Sequence, residues 1–596
     1  MTMRGGFFRL ALLVVSSLFA FLLLLTALQH TDRLRIITSL DDKSNSKPPQ
    51  QPQPHPVVQL VKITPPPVHH LEEPIDEELV LQLEQELPEV DYAFWYYTAK
   101  PKKYRYNATC GSYPDPLDLQ LHNIYWQTFV NSNVTFRLYA AYLDRRDAVK
   151  LQTVRILATA NQIGAEFPAT QCQFWFEGNN MPVYVNVTEY VSVWVKAWGN
   201  KPQLNYPHLL SCPVPKELPP NLVKSLPRTV SLVANKCDRA TNSLRINQQE
   251  KQSDPPKRTA SQEKVLTGNA TSSSQNITGL VPLNFGVCVK GFDFPYVDLS
   301  ERLIEWFEIQ RILGASKIYA YMYDVHPAVQ RVLDYYQRTG YLELRPLTLA
   351  NGMPRLRHYQ HMLLQNRRLE KRLNELIPYN DCFYRNLYRH DFLVNVDVDE
   401  VIMPLNGNRN WDQLVHTAYK MEEEKGGKCA GRFPALCFIN TYFTKVEPEL
   451  RNHEEQAITG ELYMLQHTLR HRNHSLPGRA TKCFHNARLS LTLHNHFTLK
   501  WLPGACNPRT IDISVAQMHH YREPDSKYTN QDLVEDRSVW PFATELKAAV
   551  EQVWLHMDDV LAQVSDPEEQ EEMDVALDQE GESEVEMPPP VPVPVS

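Results

Sequence analysis

The chain has 596 residues, too many for one compact domain, so we expect two folded units joined by linkers. Its formal net charge is only -8, which argues against a general nucleic-acid-binding protein. Aromatic residues make up 10% of the chain, enough for substantial hydrophobic cores. The 44 prolines are unevenly distributed, and the proline-rich segments predict where folded structure stops.

An apolar segment lies close to the N-terminus. Residues 10–28 are apolar apart from two serines and a threonine, and as a helix they would rise roughly 28 Å, close to the thickness of a bilayer's hydrocarbon core. This stretch is longer than that of a cleaved signal peptide, so we predict a transmembrane signal anchor. Residues 1–9, with Arg4 and Arg9, predict a cytoplasmic tail. These features predict a single-pass type II membrane protein, with the bulk of the chain in the lumen.

Cysteines and glycosylation sequons agree with a luminal location. None of the 10 cysteines forms a zinc-type CxxC pair, so we expect disulfide bonds, with buried free thiols as the alternative. Asn-X-Ser/Thr sequons occur at Asn107, Asn133, Asn186, Asn269, Asn276 and Asn473. Together with the anchor, these features predict a glycoprotein of the Golgi membrane.

The next segments predict a stem, a β-rich domain and a linker. Residues 29–90 are polar, proline-rich and then acidic, which is typical of a stem that cannot fold alone. Residues 75–87 have Leu and Glu at helical spacing, which allows a short helix there. Aromatic and β-branched runs over residues 91–235 predict a small antiparallel, sandwich-like domain, whose aromatic residues serve mainly in the core. Residues 236–284 are polar and predict a linker.

The pattern changes to α/β over residues 285–545. Apolar residues have helical spacing over 299–313 and 327–336, and an aromatic strand over 318–323 lies between them. This alternation predicts a mainly parallel sheet of the nucleotide-binding type. Residues 546–596 predict a helix followed by an acidic, proline-rich, disordered tail.

One segment of the α/β region carries most of the chemical information. Residues 392–396 predict a short buried strand, and Asp397, Asp399 and Glu400 follow it directly. Ligands bind at the carboxyl ends of strands in open α/β sheets, and residues two apart on an extended chain face the same way. Two such carboxylates suit Mn²⁺ or Mg²⁺ bridging a diphosphate. An acidic turn without a metal is the alternative.

Several short motifs occur in an order that resembles glycosyltransferase family 92, which includes animal β-1,4-galactosyltransferases and plant galactan synthases. They are Glu305-Trp306, Leu313-Gly314, Tyr335-Tyr336, Gly340, Asn380-Asp381-Cys382, Asn386, residues 395–400, residues 479–482, His494 and His520-Tyr521-Arg522. The segment Cys212-Pro-Val-Pro215 also resembles the family's entry to this region. The resemblance spans roughly residues 92–537.

The resemblance implies a GT-A-like fold, a UDP-sugar donor and inversion at the anomeric carbon. The donor is UDP-galactose in characterised members. The resemblance assigns Asp397 and Asp399 to a metal and diphosphate site, with Mn²⁺ or Mg²⁺ as the cofactor. It also implies that Glu400 orients the strand end or binds ribose. Lys482 is a candidate phosphate contact, with an ordinary exposed lysine as the alternative.

Two roles stay open at the level of sequence. The resemblance implies a late histidine as a further metal ligand, and His494 and His520 are both candidates. Inverting transfer also needs a base that takes the acceptor hydroxyl proton, expected to be a carboxylate away from the metal. The candidates are Glu454, Glu455, Glu461, Asp512 and Asp536.

The combined prediction is a metal-dependent galactosyltransferase that acts in the Golgi lumen. Its expected partners are UDP-galactose, a glycan or glycoprotein acceptor of the N-glycan or galactan type extended in β-1,4 linkage, and a membrane through one helix. A homodimer is left open, and no nucleic acid is expected. One alternative is a transferase that uses another UDP-sugar. The other is an inactive glycan-binding or scaffold protein, which the β-rich domain would suit.

Overall fold

The structure is a computed structural model that describes residues 77–99, 111–121, 125–164, 166–177, 179, 181–202, 204–222, 225–249, 282–350, 356–445, 453–522 and 532–562. The segments predicted as a cytoplasmic tail, a membrane anchor and a disordered C-terminal tail lie outside these residues, as does most of the segment predicted as a stem. Within the described ranges, no helix combines the length and the apolar character needed to cross a bilayer. The described residues form a mixed α/β structure with several sheets.

The first folded region is rich in β-structure. Its elements are α1 (Glu77–Glu86), α2 (Tyr92–Phe94), β1 (Gln127–Asn131), β2 (Val134–Asp144), β3 (Thr153–Ala160), β4 (Gln171–Trp175), β5 (Val183–Asn186), β6 (Glu189–Ser192), β7 (Tyr206–Pro213), β8 (Thr229–Val233) and β9 (Leu244–Asn247). The strands follow the order β5-β4-β8-β9-β2-β3-β7-β6, with β1 beside β2. Strand pairs are antiparallel except β2 with β9.

One hydrophobic core lies inside this region and explains its strand pattern. Phe136, Ile156 and Phe174 come from three different strands and are fully buried in it. A disulfide bond between Cys172 on β4 and Cys212 on β7 joins strands that are distant in the sheet order. The aromatic and β-branched runs of the sequence therefore form strands because their side chains fill a common interior.

Two segments that look like stem and linker in the sequence are folded against this core. Helix α1 belongs to the segment predicted as a stem, and β9 to the segment predicted as a linker. Arg245 of β9 lies 2.6 Å from the carboxylate of Glu84 on α1, and Val80 of α1 is buried. Local composition does not reveal such segments, because the contacts that hold them come from residues far away in the chain.

The second folded region has alternating strands and helices. Its strands are β10 (Phe285–Phe294), β11 (Ala315–Val325), β12 (Leu342–Pro346), β13 (Phe392–Asn395), β14 (Glu400–Pro404), β15 (Ala435–Phe438), β16 (Asn440–Thr444), β17 (Leu469–His471), β18 (Lys482–Asn486), β19 (Ser490–Leu493), β20 (Thr498–Trp501), β21 (Arg509–Thr510), β22 (Ala516–Tyr521) and β23 (Leu533–Glu535). Its helices are α3 (Ser300–Ile312), α4 (Pro327–Arg338), α5 (Arg357–Asn366), α6 (Arg368–Asn374), α7 (Leu376–Arg385), α8 (Trp411–Glu424), α9 (His453–Thr459) and α10 (Ala543–Ala562).

These strands build two main sheets that share one core. The larger sheet has the order β12-β11-β10-β13-β18-β15-β21, and the smaller has the order β14-β22-β16-β17-β23. Strands β12, β11, β10 and β13 are parallel, as the alternation of helices and strands predicted. Strand β18 is antiparallel to both of its neighbours, whereas β15 and β21 pair in parallel, so the larger sheet is mainly parallel as predicted, with β18 as the exception. Antiparallel neighbours need no helical crossover, and the sequence pattern therefore gives no sign of them.

A buried charge network joins the β-rich region to the α/β region. The carboxylate of Asp381 on α7 accepts hydrogen bonds from Arg385 at 2.9 and 2.8 Å and from the hydroxyls of Tyr142 and Tyr321. Tyr142 belongs to β2, whereas Tyr321 belongs to β11. Arg385 also pairs with Glu89, which precedes the β-rich sheet. The two regions therefore share polar contacts that neither could satisfy alone.

Three histidines with lowered pKa values predict that acid destabilises the fold. Burial lowers the pKa of His208 to about 4 and the pKa values of His390 and His485 to about 3. An unfolded chain has the ordinary histidine pKa of about 6.5. Between these values the unfolded chain binds protons that the folded protein excludes, so stability falls as the pH is lowered from about 6.5 towards 4. Over this range each histidine lowers the unfolding free energy by about 1.4 kcal/mol for each pH unit of acidification.

One buried carboxyl group acts in the opposite direction. Burial raises the pKa of Glu305 to about 7, so its contribution to stability is present in acid and is lost as the pH rises through that value. Three histidines outweigh one glutamate, and we expect the unfolding free energy from urea titrations to be lower at pH 5 than at pH 7. A His208→Asn variant should weaken this pH dependence by about one proton. Equal stability at both pH values would contradict the prediction.

Candidate functional site

The Asp397-Val398-Asp399-Glu400 segment connects the two sheets of the α/β region. It leaves the end of β13 in the larger sheet and enters β14 in the smaller one. Helix α3 lies beneath it, where Trp306 and Gln310 donate side-chain hydrogen bonds to the backbone carbonyl of Glu400, at 2.9 and 3.2 Å. These contacts fix the position at which the chain passes from one sheet to the other.

Asp397 is surrounded by cations. Its Oδ2 lies 3.0 Å from Lys290 Nζ and 3.4 Å from Lys482 Nζ, and its Oδ1 accepts a hydrogen bond of 2.9 Å from the Tyr379 hydroxyl. Burial would raise the pKa of Asp397, but the two ammonium groups outweigh it and hold the pKa well below its ordinary value. Both oxygens of this carboxylate are therefore engaged by protein groups.

Asp399 has a different environment. Its side chain is 28% exposed, and its Oδ2 lies 3.3 Å from Nε2 of His520 on β22. Burial would raise the pKa of Asp399 and lower that of His520, but their mutual contact reverses both directions. The backbone carbonyl of Asp399 accepts a hydrogen bond of 2.8 Å from the Tyr521 amide. Strand β22 thus holds Asp399 and supplies its histidine partner.

Glu400 is buried under the turn. Its Oε2 accepts a 2.8 Å hydrogen bond from the Asp397 amide and lies 3.2 Å from Lys482 Nζ. Its Oε1 lies 3.6 Å from Nδ1 of His520. Burial raises the pKa of Glu400. The position and contacts of Glu400 mean that it shapes the turn that presents the two aspartates.

Lys290 and Lys482 differ in solvent exposure. Lys290, on β10, is 27% exposed and also lies 3.3 Å from Glu375 Oε1, so it can contact a bound anion. Burial would lower the pKa of Lys290, but Asp397 and Glu375 outweigh it and raise the pKa. Lys482, on β18, is fully buried. It neutralises Asp397 and Glu400 from within and is not an exposed surface lysine.

A disulfide bond supports this arrangement. Cys288 on β10 is bonded to Cys382 on α7. Lys290 follows the first cysteine by two positions, and Tyr379 precedes the second by three. The bond therefore ties together the two elements that deliver Lys290 and Tyr379 to Asp397. Further disulfides join Cys429 with Cys506 and Cys437 with Cys483, and no described cysteine is free.

A second group of polar residues lies at the carboxyl end of β10. Asp293 Oδ1 lies 2.9 Å from Nδ1 of His361 on α5. Its other oxygen is buried without a hydrogen-bond partner among the described residues. Tyr296 is exposed beside it and stacks on the ring of His358. The carboxyl ends of parallel strands are the usual ligand position in open α/β sheets, so this edge can accept a ligand continuous with the Asp397 site.

The structure separates the two candidate histidines. His520 lies against Asp399, as described above. His494 lies in the turn between β19 and β20, where its ring packs on Trp198 at 4.4 Å and on Phe497 at 4.9 Å between ring centroids. Burial lowers its pKa to about 3. The described contacts of His494 are aromatic and backbone contacts, and none of them is to Asp397 or Asp399.

The five candidate bases are not gathered at the motif in the described contacts. Glu455 on α9 pairs with Arg537, and Asp512 accepts the backbone and side-chain hydrogen bonds of Ser514. Asp536 is held by Arg470 at 2.8 Å and by Ser538. The remaining two, Glu454 and Glu461, are exposed on and after α9.

The residues present fit a divalent cation in part. Asp399 and His520 supply an oxygen and a nitrogen 3.3 Å apart, and Asp399 is partly accessible. Within the described part of the chain, no three His, Cys, Asp or Glu side chains are grouped as a ready metal cage. A cation that is shared with a diphosphate needs only one or two protein carboxylates. Asp397 fits less well than predicted, because two ammonium groups and a hydroxyl already engage its oxygens.

Charge balance also favours a cation at this site. Four carboxylates meet here, from Glu375, Asp397, Asp399 and Glu400, against two ammonium groups. Burial would lower the pKa of His520, but the hydrogen bond to Asp399 and the nearby carboxylate charges outweigh burial and raise it. A divalent ion beside Asp399 would compensate that excess.

Sequence reasoning missed Lys290, Tyr379 and Glu375. Lys290 carries a weak signal, because it ends the apolar part of a strand just before Gly291. Tyr379 directly precedes Asn380-Asp381-Cys382, one of the motifs noted above. Neither position could be linked to Asp397 without the strand order.

The fold places a charged site at the carboxyl ends of parallel strands, the usual ligand position in open α/β sheets. The family model of glycosyltransferase family 92 matches residues 284–565. This match supports membership of glycosyltransferase family 92, as the resemblance predicted, and with it glycosyltransferase activity of this region. Family membership implies a nucleotide-sugar donor and a glycan acceptor. Among curated proteins, none matches the sequence significantly.

Proposed function

We propose that this protein is a metal-dependent, inverting galactosyltransferase of GT-A-like fold. It would move galactose from UDP-galactose to a glycan acceptor of the N-glycan or galactan type in β-1,4 linkage. The observation that carries the proposal is the pairing of Asp399 with His520 beside the Lys290–Asp397–Lys482 cluster. Such a site suits a diphosphate with a bound cation better than it suits a neutral ligand.

The order of the strands supports the proposed location of the donor. Strands β11, β10 and β13 are parallel neighbours, so their carboxyl ends meet at one edge of the sheet. Asp293 lies near the end of β10 and Tyr296 follows that strand, while the Asp397 segment follows β13. We place the nucleoside near Asp293 and Tyr296 and the diphosphate near Lys290. The exposed tyrosine ring and the unpartnered carboxylate oxygen suit a planar base with an N–H donor.

The roles of the side chains follow from their access and charge. Asp399 and His520 would hold Mn²⁺ or Mg²⁺. When bound, that ion would offset the charge that develops on the departing nucleoside diphosphate. Lys290 would contact diphosphate oxygens, because its ammonium is partly exposed. Lys482, Tyr379 and Glu400 would keep the turn and Asp397 in place.

The proposed compartment is the Golgi lumen, with the chain as a type II membrane protein. The disulfide bonds support this proposal, because they form and persist in oxidising compartments. The described sequons at Asn133 and Asn186 lie at exposed turns or strand ends, where glycosylation would be tolerated. The apolar segment over residues 10–28 would provide the anchor.

A donor screen tests the proposal. The full-length chain, expressed in a secretory host and purified in detergent, is incubated with one UDP-sugar at a time and with galactose-terminated glycans. We expect Mn²⁺-dependent transfer with UDP-galactose and its loss when EDTA is added. If transfer occurs only from UDP-glucose or a UDP-N-acetylhexosamine, the donor is that sugar nucleotide and not UDP-galactose. If a folded protein binds glycans but neither hydrolyses nor transfers any UDP-sugar, it is a binding or scaffold protein and the proposal is wrong.

A further inference from the structure

An exposed tryptophan of the β-rich region lies at the border of the α/β site. Trp198 ends a short 3-10 helix, Lys196–Trp198, and is 40% exposed. Its ring packs on His494 with centroids 4.4 Å apart and meets Phe497 edge-on at 5.8 Å. We call these three rings the Trp198 platform. His494 and Phe497 come from the turn between β19 and β20, so both folded regions contribute to it.

The turn that carries the platform is tied directly to the charged site. Asn495 follows His494, and its side-chain oxygen accepts a 2.5 Å hydrogen bond from Lys482 Nζ. Lys482 lies 3.4 Å from Asp397. The Asn495 amide also donates to Glu375, the second carboxylate partner of Lys290. Only a few side chains therefore separate the platform from the proposed position of the diphosphate.

The platform is rigid on both sides. On the side of the β-rich region, the buried Trp194 donates from Nε1 to the backbone carbonyl of Gly199 at 3.0 Å and packs edge-on against Trp198. Gly199 has φ of 139°, and a Cβ there would contact Leu369 of α6. On the other side, Asn380 exchanges hydrogen bonds of 2.8 and 2.9 Å with the backbone of Leu493, next to His494.

We propose that Trp198 forms a wall of the acceptor site, on which a pyranose ring of the glycan acceptor stacks. This inference rests on the proposed function and names the part of the site that binds the second substrate. A pyranose has an apolar C–H face and a rim of hydroxyl groups. The exposed indole of Trp198 offers a flat apolar surface, and Asn495, the neighbour of its ring partner His494 in the chain, brings hydrogen-bonding groups to the same turn. Sites for such ligands combine apolar surfaces with a few polar groups.

The position of Trp198 favours the acceptor over the donor base. The carboxyl ends of β10 and β11, with Tyr296, are the position proposed for the nucleoside. Trp198 comes from the β-rich region and reaches the site through the β19–β20 turn. The two aromatic groups belong to different elements, so a donor and an acceptor could occupy them at the same time. The β-rich region then completes the catalytic site.

Kinetics of the full-length enzyme test the proposal. W198A and W198L are compared with wild type at saturating UDP-galactose, with an N-acetyllactosamine-terminated glycan as the acceptor. We expect acceptor KM to rise about tenfold in both variants, because the loss of one stacked ring removes about 1.4 kcal/mol of binding. Donor KM and acceptor-independent UDP release should stay within about twofold of wild type. W198L retains apolar packing against His494, so it serves if W198A does not fold.

A matched control and a second readout keep the outcomes separate. W554A removes a similarly exposed tryptophan, 47% exposed on α10, and should leave acceptor KM unchanged. An unchanged acceptor KM in the Trp198 variants, or a rise in donor KM in its place, overturns the inference. If wild type releases no UDP from any UDP-sugar, the proposed function fails. Calorimetric binding of the same glycan to wild type and W198L then decides the inference alone, and equal affinities overturn it.

Discussion

Replacement of Asp399 by asparagine is expected to lower kcat/KM at least about a hundredfold with little change in melting temperature. The side chain is partly exposed, and its one described side-chain partner, His520, keeps Glu400 as a second carboxylate neighbour at 3.6 Å. The amide keeps the shape of the carboxylate but not its charge. Mn²⁺-dependent UDP binding, followed by calorimetry, should be lost together with transfer.

Asp397→Asn is the informative comparison, because the two aspartates of the motif have different surroundings. Removal of the Asp397 charge leaves the fully buried Lys482 and the partly buried Lys290 without their shared counter-charge. Breaking a buried ion pair on one side costs about 3–5 kcal/mol. We therefore expect Asp397→Asn to lower the melting temperature clearly, whereas Asp399→Asn does not. Equal melting temperatures for the two variants would show that this separation of roles is wrong.

Replacement of Asp381 by asparagine is expected to have the largest effect on stability. Asp381 is fully buried and neutralises Arg385, while it accepts hydrogen bonds from Tyr142 and Tyr321. Burial would raise its pKa, but Arg385 and Arg345 outweigh burial and lower it, so the carboxylate is charged in the fold. The amide would leave the guanidinium of Arg385 poorly compensated, at a cost of about 3–5 kcal/mol. A fall in melting temperature of roughly 5–10 °C should follow.

An exposed ion pair provides the control for Asp381. Asp558 lies 2.6 Å from Arg331, and its side chain is 83% exposed. Surface pairs of this kind contribute about 0–1 kcal/mol, so Asp558→Asn should barely change the melting temperature. Since Asp381 bonds to both folded regions, the Asp381 variant should also weaken their association, measured as faster proteolysis near residue 250. If Asp381→Asn changed the melting temperature as little as Asp558→Asn, the structural role assigned to Asp381 would be wrong.

Local sequence patterns predicted much of the α/β region. The helical spacing over residues 299–313 corresponds to α3, and the spacing over 327–336 corresponds to α4. Strand β13 occupies residues 392–395 and ends just before the Asp397 segment, as predicted. These elements could be predicted from the sequence because hydrophobic periodicity depends on neighbours within a few residues. The resemblance to glycosyltransferase family 92 was likewise carried by short motifs in a fixed order, and the family match confirmed it.

Strand pairing, which no local pattern reveals, assembled the rest of the site. Lys290 meets Asp397 because β10 pairs with β13 across more than a hundred residues. His520 meets Asp399 because the register of β14 and β22 sets Glu400 opposite His520. In the sequence, His494 was an equally good candidate for the further metal ligand. In the fold, its position in the β19–β20 turn packs it against Trp198.

By itself the sequence predicted the family and the position of the acidic motif at a strand end, and the structure agrees with that position. The tertiary structure alone decided how the two aspartates differ, with Asp397 held between two lysines and Asp399 left open beside a histidine. It also brought Trp198 from the β-rich region to the border of the site. The physical reason is the same in each case. Charge compensation and ring packing depend on distances in space, and residues far apart in the chain become neighbours only when the sheets form.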